Sequence, residues 1–298
     1  MTKQRYINPF TDFGFKKLFG EEAHKGLLID FLNALLPPKH HIRNLEYTKN
    51  EASGETVLER RAVFDIACTG DNGERFIVEL QKAKQNYFKE RSVFYSTFPI
   101  REQAERGEKW HFNLAAVYCI GVLDFVFEED KNNPDYLHVV QLKNQRNTVF
   151  YDKLTFIYLE MPKFTKTEAK LVSQTDKWLY FIKHVSSLED IPNPLQAEIF
   201  EEAFRTAEIA QFTPAQMKEY ELSLKHYLDL QSVIDTAIEE AELRGEKRGE
   251  KRGVKRNQHE TARRLNAMGL SHKDIMKATG LNADELTDVL TKARKKTK

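Results

Sequence analysis

The stretch Ala62-Val63-Phe64-Asp65-Ile66-Ala67-Cys68, then Thr69-Gly70-Asp71-Asn72-Gly73, then Arg75-Phe76-Ile77-Val78-Glu79-Leu80-Gln81 decides the fold. Two apolar, β-rich runs around a Gly/Asp/Asn segment predict a β-hairpin. Thirteen residues separate Asp65 from Glu79, and folding the hairpin brings the two together. Side chains alternate along a strand, so Glu79 and Gln81 share one face and Leu80 takes the other. Two carboxylates and an amide then converge at the ends of adjacent strands. Such an oxygen set suits a hard divalent cation such as Mg²⁺, with Mn²⁺ as a substitute.

Upstream, Leu27, Leu28, Phe31, Leu32 and Leu35 recur at helical spacing, and Pro37-Pro38 stops that helix. Residues 43–49 predict a strand and 85–107 a long helix, bent near Pro99. The continuous apolar run 114–123 predicts a strand buried on both faces. Residues 136–142 and 154–159 predict further strands. This order of elements points to an α/β core with a mixed central sheet. Beyond Pro162 the pattern turns helical, over 168–185, 194–210 and 214–243.

Residues 244–256 form a near-repeat, Arg-Gly-Glu-Lys twice and then Arg252-Gly253-Val254-Lys255. Glycine at every fourth position leaves one helical face bare and costs about 1 kcal/mol each against alanine. That segment is either a helix packed tightly on a partner or a loose linker. Residues 258–294 read as three short helices resembling a helix-turn-helix, with a capping box at Ser271–Asp274 and a stop at Gly280. Asp284, Glu285 and Asp288 occupy the last helix, where phosphate would repel them, which favours packing or self-association over DNA reading. The expected domains are 1–165, 166–243, 244–257 and 258–298.

The whole chain of 298 residues carries a net charge of +1. Between Arg244 and Lys298, sixteen basic residues face seven acidic ones, a net of +9, which leaves −8 on the rest. A basic tail on an acidic body suits a polyanion, with Arg248 and Arg252 as DNA contacts; a solvated charged helix is the plainer alternative. Cys68 and Cys119 sit in apolar runs and suit buried thiols in a reducing compartment. No stretch approaches the roughly twenty apolar residues of a membrane span, and the N-terminus lacks an apolar signal region, so a cytoplasmic location is expected. His24, His40, His41 and His111 show no metal-ligand spacing.

The Asp65…Glu79-Leu80-Gln81 constellation resembles the PD-(D/E)XK nuclease superfamily, with Gln81 where many members carry lysine. The opening Asn8-Pro9-Phe10-Thr11-Asp12-Phe13-Gly14-Phe15-Lys16-Lys17-Leu18-Phe19-Gly20 resembles the Rpn family of recombination-promoting nucleases and transposases. Leu28-Ile29-Asp30-Phe31-Leu32-Asn33 and Arg91-Ser92-Val93-Phe94-Tyr95 continue that likeness in order. The resemblance implies a restriction-endonuclease-like core followed by an all-helical C-terminal region. It implies a Mg²⁺-dependent DNA endonuclease of low sequence preference, tied to recombination or mobile elements. Asp65, Glu79 and the Leu80 carbonyl would hold the metal. Gln81 would position a water through one donor and one acceptor. Asp12 would approach the site with Lys16 or Lys17 facing phosphate, although Thr11-Asp12 also suits a helix cap. Arg91 and Tyr95, four apart on one helical face, would contact DNA. A rival expectation is a DNA-binding or assembly protein on a decayed nuclease fold. Self-association through the C-terminal helices is a further expectation.

Overall fold

The computed structural model describes residues 4–49, 51–52, 62–104 and 113–294. Two compact units divide the chain at Leu230 and Gln231.

The first unit is built on a six-stranded mixed sheet. Helix α1 (Asp12–Phe19) and helix α2 (Lys25–Leu35) precede β1 (Leu45–Tyr47). Strands β2 (Glu51–Ala52) and β3 (Ala62–Val63) form a separate two-stranded ribbon. The sequence pattern predicts one strand over 61–68. Instead the chain breaks at Phe64–Asp65, and β4 (Ile66–Gly70) then joins the main sheet. Next come β5 (Arg75–Gln81), α3 (Phe88–Arg101), β6 (Val117–Leu123), β7 (Leu137–Lys143) and β8 (Val149–Glu160). The sheet order is β1-β4-β5-β6-β8-β7. The β4–β5 hairpin pairs antiparallel from Thr69↔Arg75 to Ile66↔Val78. Strands β5, β6 and β8 run parallel at the centre.

All seven residues of β6 are buried, as an apolar run between two covered faces requires. One face carries Phe76, Val78, Leu80, Ile120, Val122 and Leu159 into the main core. Helices α1 and α2 share that core with α4 (Gln174–His184) and α5 (Glu198–Ala207). Trp178 of α4 is fully buried and its Nε1 donates to Asp30 Oδ1 of α2 at 2.6 Å. The other face carries Ile77, Cys119, Phe156 and Tyr158 under Phe88 and Phe98 of α3. Helix α3 is shorter than the pattern predicts, and Pro99 sits in its last turn without ending it. Residues 105–107 of the predicted helix lie outside the described residues. Both cysteines are buried and unpaired, and burial pushes the Cys68 thiol up to about 12.

The opening motif is a rigid turn feeding α1. Thr11 caps the helix by accepting from Gly14 N at 3.0 Å, while its own hydroxyl donates to Asn8 O at 2.7 Å. A Cβ at Gly14 would lie 2.3 Å from Asn8 O, so only glycine fits there. The first part of α6 (Pro214–Ala267) closes over this segment. Asn8 N donates to Tyr220 Oη at 3.0 Å, Phe13 N donates to Ser223 Oγ at 3.1 Å, and Tyr227 donates to Asp124 Oδ2 at 3.0 Å.

The second unit contains the rest of α6 with α7 (His272–Thr279) and α8 (Ala283–Arg294). The glycine repeat is helical throughout, and added Cβ atoms at Gly245, Gly249 and Gly253 would meet nothing within 4 Å. Ala262, Ile275, Leu281, Leu286 and Val289 form its small core. Ser271 caps α7, and Gly280 ends it at φ 71°, a left-handed conformation that glycine adopts without steric cost. No described helix is long and apolar enough to cross a membrane.

Candidate active site

Asp65 and Glu79 stand one position beyond the last β4–β5 pair, Ile66↔Val78. The break in the chain before β4 leaves Asp65 outside the ladder. Its Oδ2 accepts a hydrogen bond from Leu80 N at 2.6 Å, which ties the carboxylate to the next strand. Burial raises the Asp65 carboxyl pKa; the Leu80 N–H opposes the rise, as do Lys16 and Lys82, while the charge of Asp12 adds to it.

Glu79 lies beneath α3. Burial, followed by the charge of Asp65, pushes its carboxyl up to about 8 against the pull of Arg91 and Lys16. Two carboxyl groups in one desolvated place disfavour double ionisation. Among the described residues, Glu79 Oε1 is the buried side-chain oxygen that lacks a hydrogen-bond partner. Its other oxygen, Oε2, is 3.7 Å from Arg91 Nη2.

Gln81 is 7% exposed and both ends of its amide are engaged. Its Oε1 accepts from Arg91 Nη2 at 2.5 Å and its Nε2 donates to Ala83 O at 3.0 Å. Arg91 also donates to Gln85 Oε1 and lies over the rings of Phe88 and Tyr95, 5.4 Å from each centroid. One guanidinium of α3 thus joins Glu79, Gln81 and Gln85.

A hollow of about 260 Å³ opens beside these groups. Asp12, Asp65, Leu80, Gln81, Lys82 and Gln85 line it. Asp12 is exposed at the start of α1 and pairs with Lys16 at 3.3 Å. Glu79 lines a separate cavity of about 20 Å³ on the α3 side, with Arg91, Ser92, Tyr95 and Tyr158.

The structure therefore gathers Asp12, Lys16, Asp65, Glu79, Leu80, Gln81 and Arg91 around the end of β5. Tyr95 backs the site as a ring partner of Phe64, with centroids 5.3 Å apart. Lys17 does not join it. That side chain pairs with Glu21 at 2.9 Å and lines a different hollow with His24 and Glu202. Arg248 and Arg252 are exposed on α6 in the second unit. Of the four histidines considered, His111 lies outside the described residues, and His24 contacts Glu202 and Thr206.

Sequence reasoning missed Gln85 and the Arg91–Gln81 bond. The signal was present only in Arg91's place on the helix following β5. Alternation sends Lys82 to the face opposite Gln81, leaving it a role only if the strand bulges; in the structure it lines the same hollow as Gln81 and bears on Asp65 electrostatically.

Residues 9–237 match the family described as PD-(D/E)XK nuclease family transposase, which covers most of the chain. No curated protein and no solved structure matches it. The mixed six-stranded sheet agrees with that match, and the chain belongs to the PD-(D/E)XK nuclease family transposases.

Proposed function

We propose that this protein is a Mg²⁺-dependent DNA endonuclease of low sequence specificity, acting in recombination or mobile-element biology. The observation that carries the reading is the half-buried Asp65–Glu79 pair, whose buried Glu79 Oε1 has no hydrogen-bond partner among the described residues. A raised carboxyl beside a second carboxylate is what a cation site looks like before its cation arrives. The donor set fits a hard metal: Asp65, Glu79 and the Leu80 carbonyl are all oxygens, and Mg²⁺ keeps several waters. The described residues contain no group of three or more His, Cys, Asp or Glu suited to a metal, so Asp65, Glu79 and the Leu80 carbonyl are the protein groups that would hold the ion. Bound there, Mg²⁺ or Mn²⁺ supplies the positive charge that water deprotonation and the crowded phosphate transition state require.

The chain's own cations do the rest. Arg91 keeps Gln81 fixed and presents a guanidinium beside Glu79, where it can neutralise a phosphate oxygen. Lys16 supports both carboxylates electrostatically from α1. Asp12 lines the same hollow and can accept a proton or hold a water there. Arg248 and Arg252 offer phosphate contacts in the second unit.

A second reading, a DNA-binding or assembly protein on a decayed nuclease fold, draws on Gln81. With both amide ends engaged, Gln81 has less freedom to position a water. Calorimetric titration with Mn²⁺ separates the two. The nuclease reading expects binding by the native chain and its loss in Asp65→Ala. Absence of binding by the native chain favours the decayed fold.

A further inference from the structure

We propose that Tyr87 stacks on an unpaired nucleobase of DNA, which makes the segment after β5 a single-strand subsite beside the cleavage centre. This rests on the nuclease reading above. Tyr87 is 77% exposed, and its φ of 63° is a left-handed conformation that a bulky residue adopts at a cost of about 1–3 kcal/mol. A strained, solvent-facing ring contributes little to the fold, so its cost needs a use elsewhere.

Its surroundings fit a base. Tyr87 lines a groove of about 230 Å³ with Lys84, Gln85, Lys89, Phe125 and Phe127, and with the carboxylates Glu90 and Glu129. Phe125 and Phe127 meet edge to face at 5.7 Å and form an aromatic wall. Lys89 Nζ sits 4.4 Å from the Phe127 ring centroid. Lys84 and Lys89 pair with Glu128 and Glu129 at the exposed rim, so a strand's phosphates must exchange for those carboxylates to meet the lysines. Gln85 lines both this groove and the Asp65 hollow, so the two are neighbours. On this proposal a strand whose phosphate sits at Asp65 lays a nearby base against Tyr87. Aromatic rings interleaved with lysines form the usual stacking platform for single strands. Within duplex DNA the base faces are already stacked, so the preference falls on unpaired ends, gaps or bubbles.

The test uses the full chain with Asp65→Ala as background, which prevents cutting, and a fluorescein-labelled 20-nucleotide single strand beside the matching blunt duplex. Stacking on an aromatic is worth about 1–3 kcal/mol, or roughly 5- to 150-fold in affinity. Tyr87→Gly should weaken single-strand binding by about tenfold and leave duplex binding within about twofold. The same change should raise the melting temperature, because glycine accepts the positive φ freely. Tyr87→Phe should bind as the native residue does. Single-strand binding by Tyr87→Gly at native strength overturns the proposal, and so does an equal loss on duplex. The two readings fail separately: absence of metal-dependent cleavage by the native chain overturns the nuclease assignment and leaves the stacking result standing.

Discussion

Arg91 of α3 donates to Gln81 Oε1 of β5 at 2.5 Å, which sets a guanidinium against the amide at position 81. The same guanidinium is 3.7 Å from Glu79 Oε2. The cation bonded to position 81 comes from the helix, ten residues further along the chain, while Lys16 of α1 adds a second charge.

Arg91→Ala should therefore lower cleavage by about 100-fold, the usual loss when one preorganised donor to a transition state is removed. Gln81→Lys added to Arg91→Ala returns a cation to the strand, and the double variant should be at least about tenfold faster than Arg91→Ala alone. Single-turnover rates on plasmid DNA measure both. Equal rates for the single and double variants would show that the Arg91 charge is not what matters.

Glu79 predicts the pH dependence of the metal-free protein. Its folded pKa of about 8 lies above the ordinary carboxylate value of 4.5. The folded state thus binds the proton more tightly, and the stability it confers is full below pH 4.5 and lost as pH rises through 8. Urea midpoints without metal should fall between pH 5 and pH 9, and Glu79→Gln should flatten that fall. Millimolar Mg²⁺ should restore stability at the alkaline end, because a ligand of the native state stabilises it. A Glu79→Gln profile parallel to the native one would place the titration elsewhere.

Asp176 predicts the opposite sign. Lys166 at 2.7 Å, the backbone N–H groups of Val172 and Ser173, and the Tyr136 hydroxyl hold its carboxyl down at about 2 despite burial. Its contribution is present above the ordinary 3.8 and lost as pH falls through 2. Asp176→Ala strands those donors and the capping box of α4, and should cost about 2–3 kcal/mol at pH 7. Denaturation of both proteins at pH 7 and pH 2 should show the gap closing in acid.

Removing Arg244–Lys298 should weaken DNA binding and flatten its salt dependence, because the net +9 leaves with it. Single-turnover cleavage at saturating protein should stay near native. Fluorescence anisotropy across a salt series reads the slope. An unchanged slope with a dimer converted to monomer in sedimentation would make the tail an assembly device.

The β4–β5 hairpin was legible because alternation and the Thr69–Gly73 turn are local signals. The break at Phe64–Asp65 was not, because the apolar run continues unbroken through it while β3 leaves the main sheet to pair with β2. The length of β8 was hidden by polar residues such as Asp152 and Lys153 on a partly exposed strand. Continuity of α6 through its glycines was also hidden. The Arg, Lys and Glu between them are strong helix formers, and pairs such as Glu240–Arg244 add local support. Of the site, the two carboxylates could be read from strand period. The Arg91–Gln81 bond could not, since loop conformation sets it.

The most direct test of the central claim is incubation of supercoiled plasmid with the native protein, Asp65→Ala and Glu79→Ala in Mg²⁺, Mn²⁺, Ca²⁺ or excess EDTA. The account predicts nicked or linear DNA with the native chain in Mg²⁺ or Mn²⁺ alone, and intact plasmid with either variant. Cleavage that persists in EDTA, or native rates from either variant, would contradict it.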